Sequence, residues 1–180
     1  MKTQPQHQLP KVVLRALEPE DLDVLYKIEN DVELWDCGIT NVPYSRFMLH
    51  DYIARATGDI YADRQVRLMI ENAEGQVVGI VDVVNFDPRH LRAEVSIVVL
   101  RAFRQRGFAQ SALAHVVEYS RQVLHLHQLY AFVSADNEAS LQMFGRCGFE
   151  STSVLSEWLF DGSDYHDAVV MQKKNLKKRA

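Results

Sequence analysis

The amino-acid sequence predicts an α/β fold with a mixed, mostly antiparallel central sheet and helices on both faces, and three observations predict it. From Val66 to Leu100 the pattern has the period of strands, in runs divided by Asn72-Ala73-Glu74-Gly75 and by Asp87-Pro88, as consecutive antiparallel strands do. Helical periodicity then appears at Gln110–Val123 and again at Glu138–Arg146, on either side of the short apolar run Leu129–Val133. Two further strand-like runs, Phe149–Phe160 and Tyr165–Lys173, flank Asp161-Gly162 as a closing hairpin. Antiparallel strands followed by the order β-α-β-α-β-β make a mixed sheet that the helices cover.

Each element has a local cause. Residues 1–10 are read as a disordered start, and Val12–Leu17 is a short strand. Pro19, followed by Glu20 and Asp21, opens a helix with acids at its positive end, and Leu22, Leu25, Tyr26 and Ile28 continue it to about Asn30. Pro43-Tyr44-Ser45 opens a second helix, in which Phe47, Leu49, Tyr52 and Ile53 form an apolar stripe before Thr57-Gly58 stops it. In Gln110–Val123, the residues Ala112, Leu113, Val116, Val117 and Ser120 share the face turned to the sheet. Asp136-Asn137 begins the last helix and Gly148 ends it. A single domain over residues 11–172 follows, with residues 173–180 as a basic tail.

Composition narrows the classes of function. At 180 residues, 47% apolar and 24% charged, the chain has the make-up of one globular domain with a full core. No apolar run approaches the ~18–20 residues of a membrane span, and the polar start has no apolar signal region, so a cytoplasmic protein without a membrane partner is expected. Cys37 and Cys147 are too few for a disulfide framework, and both are expected reduced. His125 and His127 lack carboxylates or cysteines at ligand spacing, so no metal is expected. Of the net charge of −4, the C-terminal Lys173, Lys174, Lys177, Lys178 and Arg179 contribute +5 and leave −9 for residues 1–172, the wrong sign for a nucleic-acid reader.

Arg104-Gln105-Arg106-Gly107-Phe108-Ala109 lies between the strand ending at Leu100 and a helix starting near Gln110. A strand, a glycine turn and a helix opening present free backbone N–H groups to a phosphate, and Arg101, Arg104 and Arg106 add charge there. An ordinary basic turn has the same composition, and neither G-x-G-x-x-G nor G-K-[ST] is present. Strand alternation puts Glu94, Ser96 and Val98 on one side of their strand, so Glu94 is either a strand-end charge or a carboxylate facing a cleft. Glu29, Asp31, Glu33 and Asp36 around Trp35 are either a solvated loop or an acidic wall for a cation.

Taken together, the strand Ala93–Val99, the R-Q-R-G-F-A turn with its helix, and Asn137-Glu138-Ala139-Ser140 through Gly148-Phe149-Glu150 resemble the GNAT superfamily of acyl-CoA-dependent N-acetyltransferases. The turn matches the [QR]-x-x-G-x-[GA] motif, and the resemblance runs from Val12 to about Met171. Within the superfamily the chain is similar to bacterial spermidine or diamine N-acetyltransferases and to enzymes acting on ribosomal-protein N-termini. The resemblance implies a GNAT-like sheet, acetyl-CoA as co-substrate, a small amine such as a polyamine or diamine as acceptor, direct attack of the amine on the thioester, and a homo-oligomer. A protein N-terminus as acceptor, or acyl-CoA binding without turnover, are the alternatives.

It also implies roles. Backbone groups of Val98, Val99 and Leu100 hold the pantetheine arm; the turn amides of Arg106, Gly107, Phe108 and Ala109 hold the pyrophosphate, with Arg104 close by. Asn137 and Ser140 of the later motif and Phe144, as a wall of the acetyl pocket, complete the cofactor side, although Asn137 also suits an N-cap. Glu94 becomes the base, acting through water, and Glu29, Glu33 and Asp36 attract the substrate. Many members place a tyrosine where this chain has Phe144, so the acid for the departing thiolate falls to Tyr165, Tyr130 or water.

Overall fold

The computed structural model describes residues 8–31 and 42–175. Seven strands form one sheet in the order β1-β2-β3-β4-β5-β7-β6. They are β1 (Val12–Ala16), β2 (Val66–Asn72), β3 (Val77–Asp87), β4 (Arg92–Val99), β5 (Gln128–Ser134), β6 (Glu150–Phe160) and β7 (Tyr165–Lys174). Every neighbouring pair is antiparallel except β4 and β5, which run parallel, and a parallel pair needs a long crossover such as a helix to connect it.

The helices lie on both faces. One face carries α1 (Leu22–Glu29), whose Ile28 is buried on Met69 and Ile80 with Val98 and Leu100 packed around them. Beside it runs α2 (Arg46–Arg55), capped by the Ser45 hydroxyl accepting from the Met48 amide at 3.1 Å. The other face holds α4 (Phe108–Gln122) and α5 (Glu138–Arg146), with Ala112, Leu113, Val116 and Phe144 buried on Val81, Val95 and Ala131. That split follows from strand alternation, since Val95 and Val98 point to opposite faces.

Four local outcomes differ from the sequence expectation. A short helix, α3 (Ile60–Asp63), fills the span after Gly58, because Asp59 caps it through the Tyr61 amide at 2.8 Å. The α2 stripe loses Phe47, which is 80% exposed, and rests on Leu49. Residues 8–10 are placed rather than loose: the Ser111 hydroxyl donates to the Pro10 carbonyl at 2.7 Å. At the other end, the tail begins later than residue 173, since Lys173 and Lys174 pair with β5 and the Asn175 amide donates to Ser120 Oγ at 3.0 Å and the Leu126 carbonyl at 3.1 Å.

Two glycines shape what surrounds the site. At Gly79 on β3 an added Cβ would stand 2.2 Å from the Val98 carbonyl oxygen, so only glycine lets the end of β4 lie this close to β3. Gly107 has φ 84°, and a Cβ there would meet Pro10 at 3.1 Å and Leu9 at 3.2 Å.

Candidate active site

Strands β4 and β5 are paired over only three rungs, Arg92 with Gln128, Ala93 with Leu129 and Glu94 with Tyr130. Beyond Glu94, β4 stays with β3 as far as Val99 while β5 stays with β7 as far as Ser134, so the two strands part into a gap. Which backbone groups of β4 face that gap follows from one hydrogen bond. The Leu100 amide donates to the Val78 carbonyl at 2.9 Å, so the groups of Leu100, and of Val98 two residues earlier, turn to β3. The groups of Ile97 and Val99 turn the other way. Of the expected trio, Val99 alone offers its backbone to the gap, with Ile97 added; alternation from the Leu100 bond is the signal that finds it. The Val99 carbonyl already accepts from Arg104 Nε at 3.0 Å.

The Gly107 turn leads straight into α4, which starts at Phe108, two residues before the sequence expectation. The first intrahelical bond is donated by the Ser111 amide to the Gly107 carbonyl at 3.0 Å, and Gly107 brings no side chain to cap the amides of Phe108, Ala109 and Gln110. Arg106 lies over the Phe103 ring, 5.9 Å from its centre. Helix-start amides without a partner among the described residues, a turn at positive φ that favours glycine and an adjacent guanidinium suit a pyrophosphate in shape and charge. On α5, Asn137 Oδ1 accepts from the Ser140 amide at 3.0 Å, so the cap forms, and the Asn137 side-chain N–H groups remain available to a ligand. Phe144 is buried, edge-on to Phe149 with centres 5.0 Å apart.

On the α1 face of the sheet, Glu94 Oε2 accepts from Asn85 Nδ2 at 2.9 Å. Asn85 adopts φ 52° at an irregularity of the β3–β4 ladder, which no sequence pattern announced. Burial first, and then the charge of Glu94, push the Tyr130 phenol above its usual range. A row of rings continues from Tyr130 to Phe132, 5.6 Å apart, and on to Trp158 at 6.0 Å. Tyr165 is not part of this group: it is 65% exposed at the hairpin tip, against Phe160, and seven residues along β7 from the Tyr130 rung.

The same face buries a charge cluster. Arg67 Nε and Nη2 donate to the two oxygens of Asp82 at 2.7 and 2.9 Å, Arg67 Nη1 reaches Glu29, and the guanidinium lies 5.5 Å from the Tyr52 ring centre. Both carboxylates raise the Arg67 pKa against the opposing pull of burial. Glu29 therefore acts within an ion cluster and not as a bare carboxylate. Arg67 and Asp82 are not among the residues the sequence reading singles out; their signal is charge inside otherwise apolar strands. Glu33 and Asp36 lie outside the described residues.

Comparison with known proteins matches this geometry. A family model described as "Acetyltransferase (GNAT) domain" matches residues 11–150. Spermidine N(1)-acetyltransferase of Vibrio cholerae is 25% identical over 171 residues, 93% of this chain and 97% of that protein. The crystal structure of a Vibrio cholerae spermidine N-acetyltransferase in complex with CoA and spermine superposes with TM-score 0.81 at 26% identity, covering 91% of this chain and 95% of the other. A dodecameric structure of the Vibrio cholerae enzyme superposes with TM-score 0.78 at 25% identity, covering 91% and 94%. With its parting β4 and β5 strands, its Gly107 turn and these relatives, the chain belongs to the GNAT family and is an N-acetyltransferase that uses acetyl-CoA.

Proposed function

We propose that the enzyme transfers the acetyl group of acetyl-CoA to a primary amine of a small polyamine or diamine, by direct attack of the amine on the thioester. The observation that carries this reading is the position of Glu94, on the last rung before β4 and β5 part, held by Asn85 and facing Tyr130. Acetyl-CoA supplies the electrophilic carbonyl. Backbone groups of Ile97 and Val99, the amides of Phe108 to Gln110, Arg106 and the Asn137 side chain are the groups that would hold it.

An alkylamine has a pKa of ~10, as lysine does, and arrives as an ammonium that must lose a proton before it can attack. Glu94 takes that proton through water. The Tyr130 phenol, held protonated by burial and by Glu94, donates toward the departing sulfur, alone or through water. A thiol pKa of ~8.5 makes this assistance an acceleration and not a requirement, which is compatible with phenylalanine at position 144. Tyr165, at the exposed tip, has no part in this scheme.

The polyamine class rests on charge and on kinship. Glu29, Asp82 and Arg67 leave one net negative charge buried on the acceptor face, and Glu94 adds another. The relatives that act on spermidine share this chain's length and fold. Thiol release from acetyl-CoA with spermidine, spermine, diamines, lysine and N-terminal peptides tests the class. Turnover confined to the polyamines and diamines is expected; turnover confined to peptides overturns it. Neutralising Glu33 and Asp36 together is expected to raise KM for spermidine, and an unchanged KM removes them from the acidic wall.

A homo-oligomer belongs to the same proposal. Strand β6 is a sheet edge, and Val154, Trp158, Phe160 and Tyr165 on the β6–β7 hairpin are exposed apolar side chains. Light scattering at working concentration reads the mass directly.

A further inference from the structure

A cavity of about 800 Å³ opens beside the Gly107 turn, walled by Gln105, Arg106, Gln110 and Arg146 and by the strap Gln8–Pro10. None of its lining residues is acidic, in a chain with 24 acidic against 20 basic side chains. Arg146 reaches this place from the last turn of α5. The contact that brings it there joins the two helices: the Cys147 thiol meets the Gln110 carbonyl at 3.6 Å, setting the end of α5 against the start of α4. Among the described residues, Arg106 and Arg146 have no carboxylate partner, whereas Arg15 and Arg67 each pair with two and Arg92 with one. Two unpaired guanidinium groups from different helices thus share one cavity without a counter-charge.

The turn amides and Arg106 account for one anionic group. Arg146 stands on the other helix and is surplus to it. CoA carries a second, separate anion, the phosphate on its ribose 3′ carbon. We propose that Arg146 reads that 3′-phosphate and is the residue by which the enzyme distinguishes acetyl-CoA from its 3′-dephospho form. This rests on the reading that the donor's phosphates lie at the Gly107 turn. An arginine in the last turn of a helix also complements the helix dipole, but that role changes stability and leaves the preference between two ligands untouched.

The test is calorimetric binding of CoA and of 3′-dephospho-CoA to the full-length wild type, Arg146→Gln and Arg146→Lys, with thermal unfolding of each free protein as a check on folding. The wild type is expected to bind CoA about tenfold tighter or more, the effect of one charge-assisted contact. Arg146→Gln is expected to lose that preference by weakening CoA alone, with affinity for 3′-dephospho-CoA unchanged, and Arg146→Lys to keep part of it. Tight CoA binding with an unaltered preference in Arg146→Gln overturns the role of Arg146 and leaves the acetyl-CoA reading in place. A wild type that binds neither ligand overturns both.

Discussion

Tyr130 stands opposite Glu94 on the last rung that joins β4 to β5. The carboxylate is held by Asn85 at 2.9 Å, and its charge, after burial, keeps the phenol in its protonated form. A carboxylate and a phenol kept protonated therefore share the mouth of the gap. Replacing Tyr130 by Phe is expected to lower kcat by about tenfold to 10²-fold, with KM for acetyl-CoA unchanged, because only the proton donor is lost. Steady-state kinetics with spermidine reads both numbers, and an unchanged kcat assigns proton delivery to water alone.

Gly107 is the residue on which the proposed phosphate turn depends. Alanine there must hold φ near 84° and press a methyl group onto Pro10 and Leu9. A stability loss of about 1–2 kcal/mol is expected from the backbone alone, with a raised KM for acetyl-CoA as the turn shifts. Chemical unfolding and initial rates check the two parts separately. A normal KM in Gly107→Ala would mean that the turn does not hold the donor.

Arg67 carries a different kind of weight. It pairs with both Asp82 and Glu29, and all three side chains are largely buried. Arg67→Met leaves two carboxylates side by side without a cation, and a loss of about 3 kcal/mol or more in urea unfolding is expected. Acidifying the buffer should recover part of it by protonating the stranded carboxylates. A change within about 0.5 kcal/mol would place the cluster among ion pairs that contribute nothing measurable.

His166 gives the hairpin a pH dependence. Its Nδ1 lies 3.0 Å from Asp136 and its Nε2 lies 2.8 Å from Asp161, so both ring nitrogens face carboxylates, and only the imidazolium can donate to both. Glu138 lines one cavity together with Asp136, Asp161 and His166. Asp161, then Asp136, raise the His166 pKa, while the Asp164 and Ser163 amides and His166 hold Asp161 well below the usual carboxylate range. The histidine contribution is complete below ~6.5 and disappears as pH rises through the raised folded value; the Asp161 contribution is present above ~3.9 and is lost only in stronger acid. Amide exchange at the β6–β7 tip should therefore speed up as pH rises above ~6.5 beyond its intrinsic increase, and His166→Gln should abolish the excess. Equal behaviour in both proteins would remove His166 from the pH dependence of the hairpin.

What the sequence made legible was periodic or local. Strand alternation from Val66 to Leu100 and the helix signals at Ser45, Gly107 and Asn137 correspond to elements that formed within a few residues of expectation. The site was legible where one residue's surroundings are its chain neighbours, as at Gly107, or where alternation sets a direction, as at Glu94. It was not legible where partners come from distant elements. Arg67 meets Glu29 across 38 positions, Arg146 reaches the α4 start through Cys147, and Asn85 turns to Glu94 only because the ladder is irregular there. Tyr165 looked suitable by type alone; its place at the tip follows from the length of the last hairpin.

The measurement that bears most directly on the mechanism is the pH dependence of acetyl transfer to spermidine in wild type and Glu94→Gln. If Glu94 removes the proton of the incoming ammonium, the variant should be slower by about 10²-fold near pH 7, and the deficit should shrink toward pH ~9.5 as the amine arrives already neutral. A variant as active as wild type, or a deficit that stays constant across this range, would contradict the assignment of Glu94 as the base.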